Sequence, residues 1–272
     1  CSSDLAGSID FARRPHAPFM PSDRSLLVTD LGRLPYADAL ALQRDAARAR
    51  LDGRLAHDLL LLVEHPPVVT TGRSTKDGNL LLDREALARR GIDLFDVERG
   101  GDVTFHGPGQ LVGYPILHLS RHREDLHWYL RQVEQVLIDA VASQDIAATR
   151  NAGKTGVWTN GRKIGSIGVH ARQWVTWHGF ALNVTTDLSY FDVMVPCGIV
   201  DVVMTSVERE LLERAEGACL APPPGLFDDV RAAVVDAAGR TFELTPASFA
   251  ADALRALLAE DRKSTRLNSS HI

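Results

Sequence analysis

The chain has 272 residues, 45% hydrophobic and 24% charged, with a formal net charge of −5 at pH 7. That is length enough for one well-packed core. The acidic balance argues against general nucleic-acid binding, which wants a basic excess. No apolar run approaches a membrane span; LLLLVEHPPVV, from Leu59, is broken by Glu64 and His65.

Three cysteines, Cys1, Cys197 and Cys219, cannot make a disulfide framework. They point to a reducing compartment, and the expected location is cytoplasmic. The ends, CSSDL and DRKSTRLNSSHI, are polar and without periodicity. Residues 1–23 and 261–272 are read as disordered or non-native flanks, leaving 24–260 as a single domain.

Taken in chain order, Tyr36 to Leu55 carries apolar residues at helical spacing. Leu59 to Val63 and Val68 to Thr71 read as strands around the Pro66-Pro67 turn. Arg84 to Arg90 is a short helix with Asp83 as its N-cap. Strands are expected over Phe95–Arg99 and Leu111–Leu119, on either side of a glycine-rich loop. Leu126 to Ser143 puts Tyr129, Val133, Val136, Leu137 and Ala140 on one helical face.

From Gly156 the period becomes two, with Gly165 and Ile167 expected on the face of Lys163 and Ile164 on the other. Arg172-Gln173-Trp174 turns the chain, and Val175–Val184 returns as the second arm of a hairpin. The tract Ala221-Pro222-Pro223-Pro224-Gly225 is a rigid break before two helices, Asp228–Ala238 and Ala247–Ala259. Strands and helices mix without strict alternation. The fold class is therefore α+β, a mixed β-sheet with helices packed against it.

Several motifs are weighed and set aside. Gly153-Lys154-Thr155 lacks the glycine a P-loop needs, since position 148 is Ala148, and a strand follows it. His118, His122 and His127 stand among Arg121, Arg123, Glu124 and Asp125 and read as a solvated turn; no metal site is expected. No GxSxG elbow nominates a serine. By elimination Cys197, in Val195-Pro196-Cys197-Gly198, is the best-placed nucleophile, with Lys163, His106 and His178 as possible partners that sequence distance alone does not pair. Cys219, in an Ala-rich stretch, reads as packing.

The run RGGDVTFHGPGQLVGYP (99–115), the run GRKIGSIGVHARQWVTWHGFALNV (161–184), and VPCG followed by Met204-Thr205-Ser206-Val207 carry a resemblance. Together with Glu64-His65-Pro66-Pro67 and Thr71-Gly72-Arg73, they make the chain similar to the lipoyl(octanoyl) transferases over most of residues 26–215. The resemblance implies a biotin/lipoate-ligase-like catalytic domain whose catalytic pair falls on Cys197 and Lys163.

It implies acyl-pocket residues at Arg73, at Gly100, Gly101, His106, Gly107, Gly109 and Gln110 of the loop, and at the Gly165-Ser166-Ile167-Gly168 strand. The His178-Gly179 turn and Gly198 complete that set. No cofactor and no metal are implied. The implied donor is octanoyl-acyl carrier protein, and the acceptors are lipoyl domains of 2-oxoacid dehydrogenase E2 subunits and the glycine cleavage H protein. The protein is expected to be a monomer with no nucleic-acid or membrane partner.

On this reading Cys197 takes the octanoyl group as a thioester and the acceptor lysine then takes it as an amide. Lys163 receives the amine's proton, which needs a pKa near 7–8 and so roughly 3–5 kcal/mol of desolvation or charge repulsion. An ATP-dependent lipoate or biotin ligase would keep the lysine without needing Cys197, and a non-catalytic binding module would need neither. Because the implied partners are usually acidic, Arg73, Arg99, Arg150, Lys154, Arg162 and Arg172 are expected to form a docking surface.

Overall fold

The computed structural model describes residues 24–198, 202–214 and 221–268, and only the backbone at Cys197 and 260–268. Residues 1–23, 269–272, Cys1 and Cys219 lie outside it. Among the described residues no helix is long and apolar enough to cross a membrane.

Strands are numbered along the chain. The larger sheet has the spatial order β11 (Thr245–Ser248), β1 (Ser25–Arg33), β2 (Asp58–Glu64), β6 (Gln110–Ile116), β10 (Val175–Asn183), β9 (Arg162–Arg172), β8 (Lys154–Thr159), β7 (Thr149–Asn151). Its first two pairings are parallel and the rest antiparallel. A small sheet has the order β4 (Asp93–Asp96), β3 (Val68–Thr71), β5 (Thr104–His106).

The leucine run of β2 shows why the large sheet is covered on both faces. Leu60 and Leu62 pack into one cluster with α3 (Leu126–Ala142) and α5 (Leu226–Phe242). Leu59, Leu61 and Val63 pack into another with α1 (Tyr36–Leu51) and α6 (Ala251–Asn268). The apolar face of α3 expected from its period is wholly buried. Its start is capped by Asp125, whose carboxylate accepts from the N–H groups of His127 and Trp128.

Some boundaries differ from the sequence reading. Helix α1 stops at Leu51, where Asp52 caps it and Gly53 takes φ +75°. The strand expected over Phe95–Arg99 is Asp93–Asp96, because Glu98 and Arg99 turn to make side-chain bonds instead. Thr245–Ser248 pairs in parallel with β1 at the sheet edge, so the last helix begins at Ala251 rather than Ala247. That helix continues to Asn268, into the segment read as a disordered flank, because no Gly or Pro interrupts it.

His122 is not solvated as expected. Its Nε2 lies 2.6 Å from Asp58, which also accepts from Arg50 at 3.0 Å and from the His118 N–H at 3.0 Å. Burial pushes the Asp58 carboxyl up, but these donors outweigh it and hold the group below its ordinary value. A depressed carboxyl contributes stability above its unfolded value, about 3.9, and loses it as pH falls through the lower folded value. The urea midpoint of wild type is therefore expected to fall more between pH 6 and pH 3 than that of Asp58→Asn. The variant should be the weaker at pH 7, by on the order of 3 kcal/mol, for a broken buried pair. Parallel pH curves would contradict this.

Candidate active site

A cavity of about 290 Å³ opens between the two sheets, near the lower end for small-molecule sites, which start at roughly 300 Å³. Lys163 lines it and is only 1% exposed. A register shift between Val157 and Trp158 leaves Ile164 as an extra residue in β9, which makes a bulge. Ile164 and Gly165 then both turn to the α3 side, Gly165 lying against Leu137. The alternation is thus reset. Ser166 and Gly168, paired with Ala181 and Gly179 of β10, line the cavity with Lys163. The expected face, Lys163 with Gly165 and Ile167, is corrected by one residue, although Ile167 still touches the cavity wall.

The lysine is gripped on both sides. Its N–H donates to Val203 O at 2.8 Å and its carbonyl accepts from Thr205 N–H at 2.9 Å, so the chain returning after Cys197 runs beside β9. Its Nζ lies 5.6 Å from the centre of the Trp158 ring. Gly156 makes the side chain's path possible: a Cβ there would sit 2.8 Å from Lys163 Cε and 2.7 Å from Gly165 O, at φ +133°. Lys163 therefore runs along its strand toward the level of Gly165.

The Cys197 backbone lies in a single 3₁₀ turn, Pro196–Gly198. Val195 N–H donates to Asn79 O at 2.7 Å, and Asn79 Nδ2 donates to Asp102 Oδ2 at 2.5 Å. Gly198, at φ +63°, rests on the same carboxylate, and a Cβ would fall 2.2 Å from Asp102 Oδ2. Asp102 in turn lines the cavity. The turn is thus seated on a residue that shares the cavity with Lys163.

The other end of the cavity is built from buried rings. Tyr36 stacks on His106 with centroids 5.9 Å apart, and His65 meets both His106 and Tyr114 at 6.0 Å. Burial pushes His65 down to about 4, and burial with the neighbouring His65 pushes His106 down to about 3. Burial raises Tyr36 to about 12 and Tyr114 well above the ordinary value. All four are therefore neutral at pH 7. Arg99 spends its guanidinium on Thr70 and the Gly100 carbonyl.

His178 is 2% exposed at φ +55°, inside β10 and not at a turn as expected, with its N–H given to Gln43 Oε1. Its Nε2 is 3.7 Å from Glu98. His178 first, then Arg44 and Trp177, hold Glu98 well below the usual carboxylate range, against the effect of burial.

Of the residues expected at the site, Lys163, Gly101, His106, Ser166, Ile167, Gly168, His178 and Gly179 meet at the cavity. Six others stand behind its wall or outside it. Arg73 is exposed, Gly100 donates its N–H to Val169 O, and Gly165 packs on α3. Gly107 lies against Phe105, Gly109 against Thr185, and Gln110 braces His106. Gly198 belongs to the Cys197 turn.

Asp102, Tyr36, Tyr114 and Lys154 line the cavity without having been singled out as pocket residues. Asp102 and Tyr114 stand in the 99–115 run, and Lys154 in the Gly153-Lys154-Thr155 motif that was set aside. Of the six residues of the expected docking surface, Arg73 and Arg172 are exposed and Lys154 is half-buried, while three are engaged elsewhere. Arg99 is buried, Arg150 pairs with Glu134, and Arg162 pairs with Glu210 and Glu213. Among the described residues no cluster could hold a metal ion.

Residues 35–218 match the model of the lipoyl protein ligase A/B catalytic domain. An octanoyltransferase from Acidobacterium capsulatum is 50% identical over 196 residues, 67% of this chain and 79% of that one. One from Nostoc sp. is 42% identical over 225 residues, 82% and 95% of the two chains. A putative lipoate protein ligase from T. acidophilum shares the backbone with a TM-score of 0.63 at 16% identity, covering 87% of this chain and 92% of that one. Lipoate-protein ligase A bound with ATP gives the same TM-score, 0.63, at 16% identity and the same coverage, 87% and 92%. At that identity these two likenesses describe the fold: a mixed sheet with helices.

Gly156→Ala is expected to displace Lys163 and, with that lysine the candidate catalytic group, to lower turnover roughly 10²-fold or more. The thermal midpoint should fall only modestly. Wild-type rates in Gly156→Ala would contradict the path given to the lysine.

Proposed function

The chain belongs to the lipoyl protein ligase A/B catalytic domain family, as a member that transfers octanoyl groups, and from that premise we propose a two-step transfer through Cys197. The donor is octanoyl-acyl carrier protein. Its thioester carbonyl is attacked by the Cys197 thiolate, the carrier thiol leaves with the proton of the Lys163 ammonium, and octanoyl remains on Cys197 with Lys163 neutral. The amine of an acceptor lysine then attacks this second thioester. Cys197 leaves as thiolate, an amide forms, and Lys163 takes the amine's proton. The acceptors are lipoyl domains of E2 subunits and of the glycine cleavage H protein.

The observation that carries the reading is the buried lysine itself. A lysine 1% exposed, in a cavity wall, is held by the strand-like segment that returns from the Cys197 turn. A free thiol at about pKa 8.5 is only a few per cent thiolate at neutral pH, and an adjacent ammonium favours the anion. The reacting pair and its wall need no metal and no cofactor. Burying about six methylenes of the acyl chain contributes roughly 5 kcal/mol, which favours medium chains over short ones.

Ser166, Gly168 and Gly179 make the middle of the acyl site in this account, with His106 and His178 at its end. Residues 24–260 act as one catalytic domain, since β11 near the C-terminus closes the sheet against β1. The enzyme works as a monomer in the cytoplasm, where a thiol nucleophile stays reduced.

Transfer from octanoyl-acyl carrier protein to a lipoyl domain, without ATP, tests this. Cys197→Ala and Lys163→Met should each lose roughly 10²–10⁴-fold in rate while keeping the wild-type circular dichroism. Full activity in Cys197→Ala, or octanoylation only with ATP and free octanoate, would overturn it.

A further inference from the structure

At the end of the cavity away from Lys163, two side chains are locked as acceptors beside Arg99, His178 and Tyr36. His65 Nδ1 lies 2.7 Å from the Leu34 carbonyl, which can only accept, so Nδ1 carries the proton. The bare Nε2 must then accept from Tyr114 O–H at 2.7 Å. Tyr114 is left with oxygen lone pairs alone. Gln43, the side chain that approaches the Tyr114 hydroxyl, lies outside the cavity lining.

His106 is locked in the same way. The Gln110 amide is oriented by its Nε2, which donates to Phe105 O and Asn183 Oδ1. Gln110 Oε1 therefore accepts from His106 Nδ1–H at 2.9 Å. His106 Nε2 is a bare acceptor in the cavity wall. The Tyr36 hydroxyl beside it can turn either way.

The position of these acceptors matters as much as their sense. Lys163 reaches the level of Gly165. Gly168, paired with Gly179, is three residues further along β9, about 10 Å. A Cβ at Gly179 would touch both Gly113 O and Pro115 Cδ, the neighbours of Tyr114. An extended octanoyl chain, seven bonds of about 1.52 Å in zigzag, is roughly 9 Å long. A chain of that length, with its carbonyl at Lys163, would span to the level of Gly168 and Gly179, beside the strand that carries Tyr114.

We propose that this end is a subsite for a hydrogen-bond donor on the last carbon of the acyl chain, with His65 as the positioning residue that fixes its acceptor sense. The substrate class is then medium-chain acyl thioesters with a terminal hydroxyl, alongside octanoyl. The inference rests on the proposed reading that the acyl carbonyl reacts at the Lys163 end. A purely apolar pocket would leave the hydroxyl unpaired and reject it by up to roughly 10²-fold.

The test compares kcat/KM for 8-hydroxyoctanoyl- and octanoyl-acyl carrier protein with one lipoyl domain, in wild type, Tyr114→Phe and His65→Gln. Wild type should use the hydroxylated thioester to within about tenfold of octanoyl. Tyr114→Phe, which removes an acceptor, should shift the ratio against the hydroxyl by roughly tenfold. His65→Gln, whose amide can donate to Leu34 O and accept from Tyr114, should keep the wild-type ratio. A wild-type preference for octanoyl above tenfold overturns the proposal, even if a variant fails to fold. So does a ratio unmoved in folded Tyr114→Phe. Octanoyl turnover with hydroxyl rejection leaves the transfer reading intact. No turnover of either thioester overturns that reading and this proposal together.

Discussion

Everything at the site depends on seating a lysine side chain inside a protein wall. Burial of a polar group costs free energy unless the surroundings answer it. Here the backbone of Lys163 is clamped between β8 and the 203–205 segment, and its stem is threaded past Gly156 onto the face of Trp158. The bulge at Ile164 is what lets an otherwise regular strand present Lys163, Ser166 and Gly168 to the cavity while Ile164 and Gly165 fill the core. The clamp also returns the chain from the Cys197 turn to the lysine's strand. The two members of the proposed catalytic pair, Cys197 and Lys163, are therefore linked through this clamp.

The rest of the cavity is organised by groups whose protons have no choice. A carbonyl fixes one nitrogen of His65, an oriented amide fixes one of His106, and burial keeps both neutral. Glu98 does a related job on the other wall, gathering Arg44, Trp177 and the His178 ring around one ionised carboxylate. The small sheet carries Thr70 and His106, while the large sheet carries Lys163, Tyr114 and His178. Arg99, bonded to Thr70 and lying across Gly168, joins the two.

Much of this was legible because the local signals were strong. The leucines of β2 read as a buried strand, and Asp83 marked a helix start that the structure confirms. Gln173 and Trp174 turn the β9–β10 hairpin with positive φ at both positions, as a two-residue loop requires. The bulge was not legible, since one extra residue leaves no trace in a period-two reading. Part of the arginine surface was misread for a related reason. Sequence shows a charge but not its partner, and Glu134, Glu210 and Glu213 had already taken Arg150 and Arg162. Tyr36 reaches the cavity from helix α1, far along the chain from the other lining residues, through topology that no local window contains.

The most direct test of the two-step account is intact-mass spectrometry of wild type mixed with octanoyl-acyl carrier protein, with neither ATP nor acceptor present. The account expects one octanoyl adduct, mapping to Cys197 and clearing when a lipoyl domain is added. An unmodified protein that nevertheless octanoylates the lipoyl domain would contradict it, because the acyl group would then pass directly from carrier to acceptor.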